Sequence, residues 1–290
     1  MRDSRAKGVI SYIVLAYGLA WILWEMPIRL LGASPQNPVL FQFVALPGAF
    51  APAVAALIVR QWITREGFAD SGLRPNLRRG WPYYLAGWLL PLPVVAAIVG
   101  LAWGLRLARP DFTLLSGLSS LGLGTPLSAA PRLLVLALPF LLPVQALLTF
   151  PLLWGEEFGW RGYLQVRLFP ERPLLAAVAT GIVWSLWHLP LNLRGYNFPG
   201  YPLLGMLVFT VSAVLLSIIF GWLRLASGSV WAPTLAHAAT NAVGGSLILL
   251  WFGGAKPLWV AYLGILGWLP LGLLCLWIVL TGRLQPQTPL

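Results

Sequence analysis

The chain is poor in almost everything a soluble protein shows to water. Of its 290 residues only 9% are charged, and only eight are Asp or Glu. A soluble domain would carry roughly 25% charged residues, so a surface this sparing of charge faces lipid. There are two histidines and a single cysteine, Cys275, which excludes an intrachain disulfide. What is abundant is apolar: 59% of the residues are hydrophobic and 16 are tryptophan. Nineteen Lys and Arg give a formal net charge of +11. A basic excess also marks nucleic-acid binders, but here the cations sit in short loops between apolar runs, the pattern of a multi-pass membrane protein. The partner is membrane lipid, and no nucleic-acid partner is read. Arg2, Arg5 and Lys7 lead into an apolar run too long for a signal peptide and without a small-residue cleavage site, so it reads as a first span.

About eight apolar stretches have spanning length, near 20 residues each: 8–31, 39–63, 81–105, 132–168, 173–193, 202–223, 229–252 and 257–281. Backbone groups in lipid must be satisfied within the segment, and short alternating strands are missing, so these are helices. The predicted fold is all-α: a polytopic transmembrane helix bundle of about eight helices with an intramembrane active-site cavity. It forms one transmembrane domain over 1–290, with a motif-bearing core at 130–245. Loops such as 65–80 and 109–132 carry Pro, Gly and Arg, and Pro139, Pro143, Pro151 and Pro190 predict kinks. With the N-terminus inside, thirteen of the 19 basic residues fall on the inner side: Arg2, Arg5, Lys7, Arg60, Arg65, Arg74, Arg78, Arg79, Arg161, Arg167, Arg172, Arg224 and Arg283. The expected location is the cell membrane with both termini cytoplasmic.

Polar residues interrupt this pattern at three places. Both histidines lie inside predicted helices, His188 in "VWSLWHLPLN" and His237 in "WAPTLAHAATN", each followed four residues later by an asparagine, Asn192 and Asn241. Two of the eight acids stand side by side in "WGEEFGWRGY" as Glu156 and Glu157. Ionisable groups within spans are costly and tend to mark functional sites, although a buried His also serves as polar glue between helices. Depth favours a site. Taking Phe169 and Pro173 as the ends of a hairpin, Glu156 and His188 both lie about 20 Å from one membrane face, and His237 and Asn241 about 14 and 20 Å from it. Four polar groups on three helices thus share one layer.

The two acids differ in direction, since neighbours on a helix point about 100° apart. Glu157 and Arg161 are spaced i,i+4 and form an internal pair. Glu156 is left free for chemistry.

These residues resemble a known family. "EEFGWR" fits E-E-x-x-x-R, "WSLWH" fits an aromatic followed by x-x-x-H, and "HAATN" fits H-x-x-x-N, in that order on successive helices. The pattern resembles the CPBP (Abi) family of intramembrane proteases, which includes the type II CAAX prenyl endopeptidases and bacteriocin-processing or self-immunity proteins. It covers roughly residues 130–245. The second motif opens with Trp184 where the prenyl proteases usually have Phe. The resemblance implies an intramembrane endopeptidase in which Glu156 activates water with the help of His188, and His237 and Asn241 stabilise the oxyanion. Glu157 and Arg161 support them, Trp184 packs against the imidazole, and Asn192 is a supporting candidate. The implied substrate is a membrane peptide or protein, lipidated or not. Glu156, His188 and His237 also make up a His₂Glu zinc set. Soluble zinc proteases, however, place both histidines i,i+4 on one helix with the base between them, so no cofactor is required in this reading. Two alternatives stay open: a membrane binding or bacteriocin self-immunity partner that cuts nothing, and a transporter or proton relay built from buried Glu and His.

Overall fold

The computed structural model describes residues 2–35, 37–120 and 132–285. Part of the predicted 109–132 loop, at 121–131, and the first two residues of the 130–245 core lie outside the described residues. Among the described residues every regular element is helical. In chain order these are α1 (Arg2–Leu31), α2 (Pro38–Ala49), α3 (Ala51–Ile58), α4 (Leu77–Leu89), α5 (Pro91–Gly104), α6 (Leu115–Ser120) and α7 (Arg132–Gly159). They continue as α8 (Pro173–Trp187), α9 (Leu189–Leu193), α10 (Pro202–Ser227), α11 (Trp231–Ala239), α12 (Ser246–Trp251), α13 (Pro257–Val260) and α14 (Trp268–Leu280). Three π-helical turns, Val59–Ile63, Trp160–Leu164 and Thr240–Gly245, prolong α3, α7 and α11.

The chain is a polytopic transmembrane helix bundle. Six helical stretches are long and apolar enough to cross a membrane: Ser4–Leu31, Leu40–Ile63, Leu77–Gly104, Leu136–Leu164, Pro202–Ser227 and Pro257–Leu280. The other two predicted spans, 173–193 and 229–252, are the ones that carry the histidines. The first is cut short: α8 is 15 residues long, the chain turns at His188, and α9 begins with Pro190 in its first turn. A proline is at home in the first turn of a helix and cannot continue an earlier one. Of the four prolines expected to kink helices, only Pro190 coincides with a break, because α7 runs through Pro139, Pro143 and Pro151 as one helix. The second stretch is helical over 231–251, but Thr234, His237, Thr240, Asn241 and Ser246 dilute its apolar character.

Between lipid-facing helices there is little hydrophobic drive, so close packing and interhelical hydrogen bonds hold them. The α8–α10 contact is of this kind. Ser217 Oγ donates to the Ala177 carbonyl at 2.8 Å, and the Ser185 and Thr210 hydroxyls are 2.8 Å apart. Gly181 sits so close to α10 that an added Cβ would lie 2.7 Å from Val214 Cα. On α1, Tyr12, Ala16, Ala20, Trp24 and Ile28 form a buried stripe at i,i+4 spacing. Indole N–H groups bridge α1 to its neighbours: Trp24 to the Ala45 carbonyl at 2.8 Å, Trp21 to that of Trp187 at 3.0 Å, and Trp187 to that of Ala16 at 3.2 Å.

One end of the bundle is closed by the 64–76 loop, held by three arginines. Arg60, fully buried, meets Asp70 at 2.9 Å and donates to the Gly162 carbonyl at 3.2 Å. Arg167 meets Glu66 at 2.8 Å and Asp70 at 3.0 Å. Arg224 donates to the Asp70 carbonyl at 2.7 Å. Partial burial alone would raise the Asp70 carboxyl, but the Arg60 hydrogen bond and the Arg167 and Arg60 charges outweigh it and hold the group below the usual carboxylate range.

Gly181→Ala is expected to destabilise the bundle by about 1–3 kcal/mol, because backbone must move to admit the methyl group. Gly100→Ala, where an added Cβ meets nothing within 4 Å, should instead be neutral or stabilising by up to about 1 kcal/mol. Thermal unfolding of the two detergent-solubilised variants checks the difference.

Candidate active site

The three sequence motifs meet where α7, α8 and α11 face one another. Glu157 and Arg161 pair as their i,i+4 spacing demands, with Arg161 Nη1 2.8 Å from Glu157 Oε1, and neither side chain is exposed at all. The same Glu157 Oε1 also takes a second partner from α11, His237 Nδ1 at 2.9 Å. One carboxylate oxygen therefore links two helices 80 positions apart in sequence. The Arg161 guanidinium is further enclosed by aromatic faces, 4.7 Å from the Trp184 ring centroid and 5.1 Å from that of Phe220, a placement that favours a cation over the ring quadrupole.

Glu156 points elsewhere, as the 100° between neighbours requires. Its Oε2 accepts a 2.8 Å hydrogen bond from Trp184 Nε1 on α8, and its side chain is 7% exposed. Trp184 does pack edge-on against the His188 ring, at 5.7 Å between centroids, and against His237 at 5.3 Å. Its indole N–H contact to Glu156 was not foreseen, since a tryptophan in a run of apolar residues reads as packing. A Phe in the same place would have no donor.

Both histidines have defined tautomers. His188 Nδ1 lies 2.9 Å from the Trp184 carbonyl; a carbonyl only accepts, so Nδ1 carries the proton and Nε2 keeps its lone pair. His237 Nδ1 faces the carboxylate of Glu157 and carries a proton for the same reason. His188 is within electrostatic range of both Glu156 and His237. Its ring stands on Trp187 at 4.7 Å and Phe209 at 5.0 Å, so apolar packing fixes what the hydrogen bond orients.

The two asparagines behave differently from the rest. Asn241 is exposed, one residue into the π-helical turn Thr240–Gly245, and among the described residues it makes no hydrogen bond to Glu156, His188 or His237. Asn192 is buried on α9, where it accepts from Asn197 at 2.7 Å and donates to Met206 Sδ at 3.6 Å. It holds the loop after α9, away from the carboxylates. A residue that no motif pointed to, Tyr196 in that loop, takes a 2.9 Å hydrogen bond on its hydroxyl from Gln42 on α2.

Two cavities lie away from the site. One, about 490 Å³, is lined by Arg172, Leu174, Val178, Val279 and Leu284, and the other, about 270 Å³, by Trp103, Arg106 and Arg109. The site itself is closely packed. Each histidine directs its Nδ1 at an outer oxygen, as metal-ligating histidines do. Among the described residues, however, no three His, Cys, Asp or Glu side chains converge as a ligand set.

A buried acid, two imidazoles oriented through Nδ1 and a caged ion pair lie together inside a polytopic membrane bundle. Residues 131–243, which include all three motifs, match the family model of the type II CAAX prenyl endopeptidase Rce1-like proteins. No curated protein matches the chain. Over residues 131–243 the chain is thus similar to the Rce1-like type II CAAX prenyl endopeptidases.

Removing one partner of a buried ion pair leaves an uncompensated charge, at a cost of about 3–5 kcal/mol. Arg161→Ala should therefore lower the yield of folded protein sharply, while Glu156→Gln, which keeps an acceptor for the Trp184 N–H, should leave it near wild type. Size-exclusion profiles of the two variants decide; equal losses would undo the division of labour between the two acids.

Proposed function

We propose that the chain is an intramembrane endopeptidase of the CPBP/CAAX-protease type, with residues 130–245 as its catalytic core. The observation that carries this reading is the pair of contacts joining the three motifs, Trp184 to Glu156 and His237 to Glu157, supported by the Rce1-like match over 131–243. Glu156 takes a proton from a water molecule held by His188 Nε2, and the water oxygen attacks the peptide carbonyl carbon. The oxyanion that forms is stabilised by an Nε2–H of His237, whose ring Glu157 holds in place, and by Asn241 once its side chain turns inward. Donors set in advance in a dry site are worth far more there than in water. Glu156 then passes its proton to the leaving amine as the C–N bond breaks.

In this reading Glu156 is the base and no metal is obligatory. A metal form would use Glu156, His188 and His237, and the tautomers of the two histidines favour that second reading. The substrate is a peptide at or in the membrane, prenylated as the family description suggests or unmodified; neither nucleic acid nor a cofactor is part of the proposal. The protein sits in the cell membrane with both termini cytoplasmic, following the distribution of its basic residues. A binding or self-immunity partner without proteolysis is the competing reading, and it would have no use for an oriented, desolvated acid.

Comparing the termini of membrane peptides in cells with wild type and Glu156→Gln tests the activity: a set of new C-terminal ends should vanish in the variant. An identical set in both would sink the endopeptidase reading. Purified protein should retain cleavage after exhaustive chelation, whereas bound stoichiometric zinc, with activity lost on chelation and restored by zinc, would make the three residues its ligands.

Trp184→Phe keeps the ring against His188, His237 and Arg161 but removes the N–H. Losing a hydrogen bond to a charged group costs about 1.5–3 kcal/mol, so kcat should fall roughly tenfold to a hundredfold with KM little changed. An unchanged kcat would reduce Trp184 to packing.

A further inference from the structure

α1 lies outside residues 131–243, the stretch that matches the family model, yet two of its side chains end on the helix that leads into His188. Tyr17 donates its hydroxyl to the Val183 carbonyl at 2.5 Å, and Trp21 donates its indole N–H to the Trp187 carbonyl at 3.0 Å. Tyr17 and Trp21 are spaced i,i+4 and so share one face of α1, as Val183 and Trp187 share one face of α8. The two α1 rings lie 5.4 Å apart. The contact is returned: Trp187 donates its own indole N–H to the Ala16 carbonyl at 3.2 Å, and its ring packs on Trp24 at 4.5 Å.

The end of α8 explains why these donors matter. In an unbroken helix the Leu191 N–H would reach the Trp187 carbonyl, but it turns to the His188 carbonyl instead, at 3.0 Å. Pro190 has no N–H to offer the Leu186 carbonyl. The His188 N–H turns in the same manner, to the Ser185 carbonyl at 3.0 Å rather than to that of Trp184. The Trp184 carbonyl is thereby open to the His188 ring, whose Nδ1 lies 2.9 Å away. His188 thus owns two N–H donors that could serve this carbonyl, and the shape of the last turn decides which one does. An unpaired carbonyl is costly at membrane depth. Trp21 supplies the partner that the Trp187 carbonyl has lost, and Tyr17 holds the carbonyl one residue before Trp184, so both favour the turned form.

We propose that Tyr17 and Trp21 are positioning residues for His188: their donors hold the last turn of α8 in the form in which the Trp184 carbonyl orients the imidazole through Nδ1. The working unit then extends beyond the matched stretch to include α1. The inference rests on the protease reading above for what His188 does, but not for how it is held. Packing alone gives no reason for the two polar atoms. α1 is already seated by its buried stripe of Tyr12, Ala16, Ala20, Trp24 and Ile28, and Tyr17 and Trp21 are only partly buried beside it.

The protein has only two histidines, so ring ¹⁵N spectra of the full chain in detergent separate His188 from His237, with His188→Gln assigning the signals. They are recorded at about pH 8, above the ordinary histidine range, where a protonated ring nitrogen and a bare one give distinct signals. Wild type should show His188 in the Nδ1–H form. Trp21→Phe keeps a ring and removes the donor; the Nε2–H share of His188 should rise several-fold while the His237 signals stay in place. In the same variant kcat should fall about tenfold to a hundredfold with KM little changed, the effect of a displaced catalytic group. Tyr17→Phe loses only a hydroxyl and should act in the same direction, and it carries the comparison where Trp21→Phe does not fold. Trp268→Phe removes an indole donor between α14 and α10 and should leave both histidines unchanged. A His188 signal that moves in neither variant overturns the proposal, and so does an equal shift of both histidines, which is general loosening. A moved His188 signal with unchanged kcat supports the positioning and removes His188 from the mechanism proposed above, so the two readings fail separately.

Discussion

The arrangement of the site depends on one carboxylate oxygen, Oε1 of Glu157. Buried completely, it serves Arg161 on its own helix and His237 on α11. A desolvated charge of this kind is tolerable only with partners, and here the partners determine where other elements lie. Arg161, neutralised on one side, places its remaining faces against Trp184 and Phe220, which belong to α8 and α10. Four helices are thereby positioned around one ion pair. The interaction adds little net stability compared with an apolar core of similar volume; what it contributes is the mutual placement of the helices that carry its partners.

The side-by-side glutamates follow from this. On a helix two neighbouring residues address different sectors, so one acid can be held by α11 while the next is presented to α8. Glu157 holds Arg161 and His237 through the single oxygen Oε1. Glu156 has one oxygen fixed by an indole N–H and the other free, which is the condition a general base needs: orientation without neutralisation. Tryptophan suits this bundle for the same reason it recurs along α1. It fills apolar volume and carries one donor that can reach across to a neighbouring helix, a combination useful in lipid, where an unpaired polar atom is costly.

The asymmetry of the two ends has a related cause. A short α8 cannot both begin at one membrane surface and reach the other, and the site lies where it stops. Ending the helix there frees the chain to turn into the segment that carries Asn192, Tyr196 and Asn197, while the 64–76 loop is bound to the body of the protein by its arginine partners. Polar residues at the end closed by the 64–76 loop form ion pairs with Asp70 and Glu66; at the far end Arg194 pairs with Glu25, and Asn197 hydrogen-bonds Asn192.

Much of this was legible in the sequence, and the legible part is local. Hydropathy placed the spans, because the cost of charge in lipid acts residue by residue. The spacing of Glu157 and Arg161 fixed their pairing, because 3.6 residues per turn is a property of one helix. Counting along helices put Glu156, His188 and His237 at similar depth for the same reason. Tertiary structure decided the rest. Nothing in "HAATN" says that His237 turns its Nδ1 to Glu157, nor that Asn241 faces out, because the rotation of one helix about its axis relative to another is set by packing among all of them. The indole of Trp184 read as apolar filling until α8 was laid beside α7. Tyr196 and Gln42 belong to no motif, and their approach joins residues 154 positions apart. Composition and period determine which segments enter the membrane and how deep each group lies; which groups meet within that layer is decided only when side chains of different helices compete for the same space.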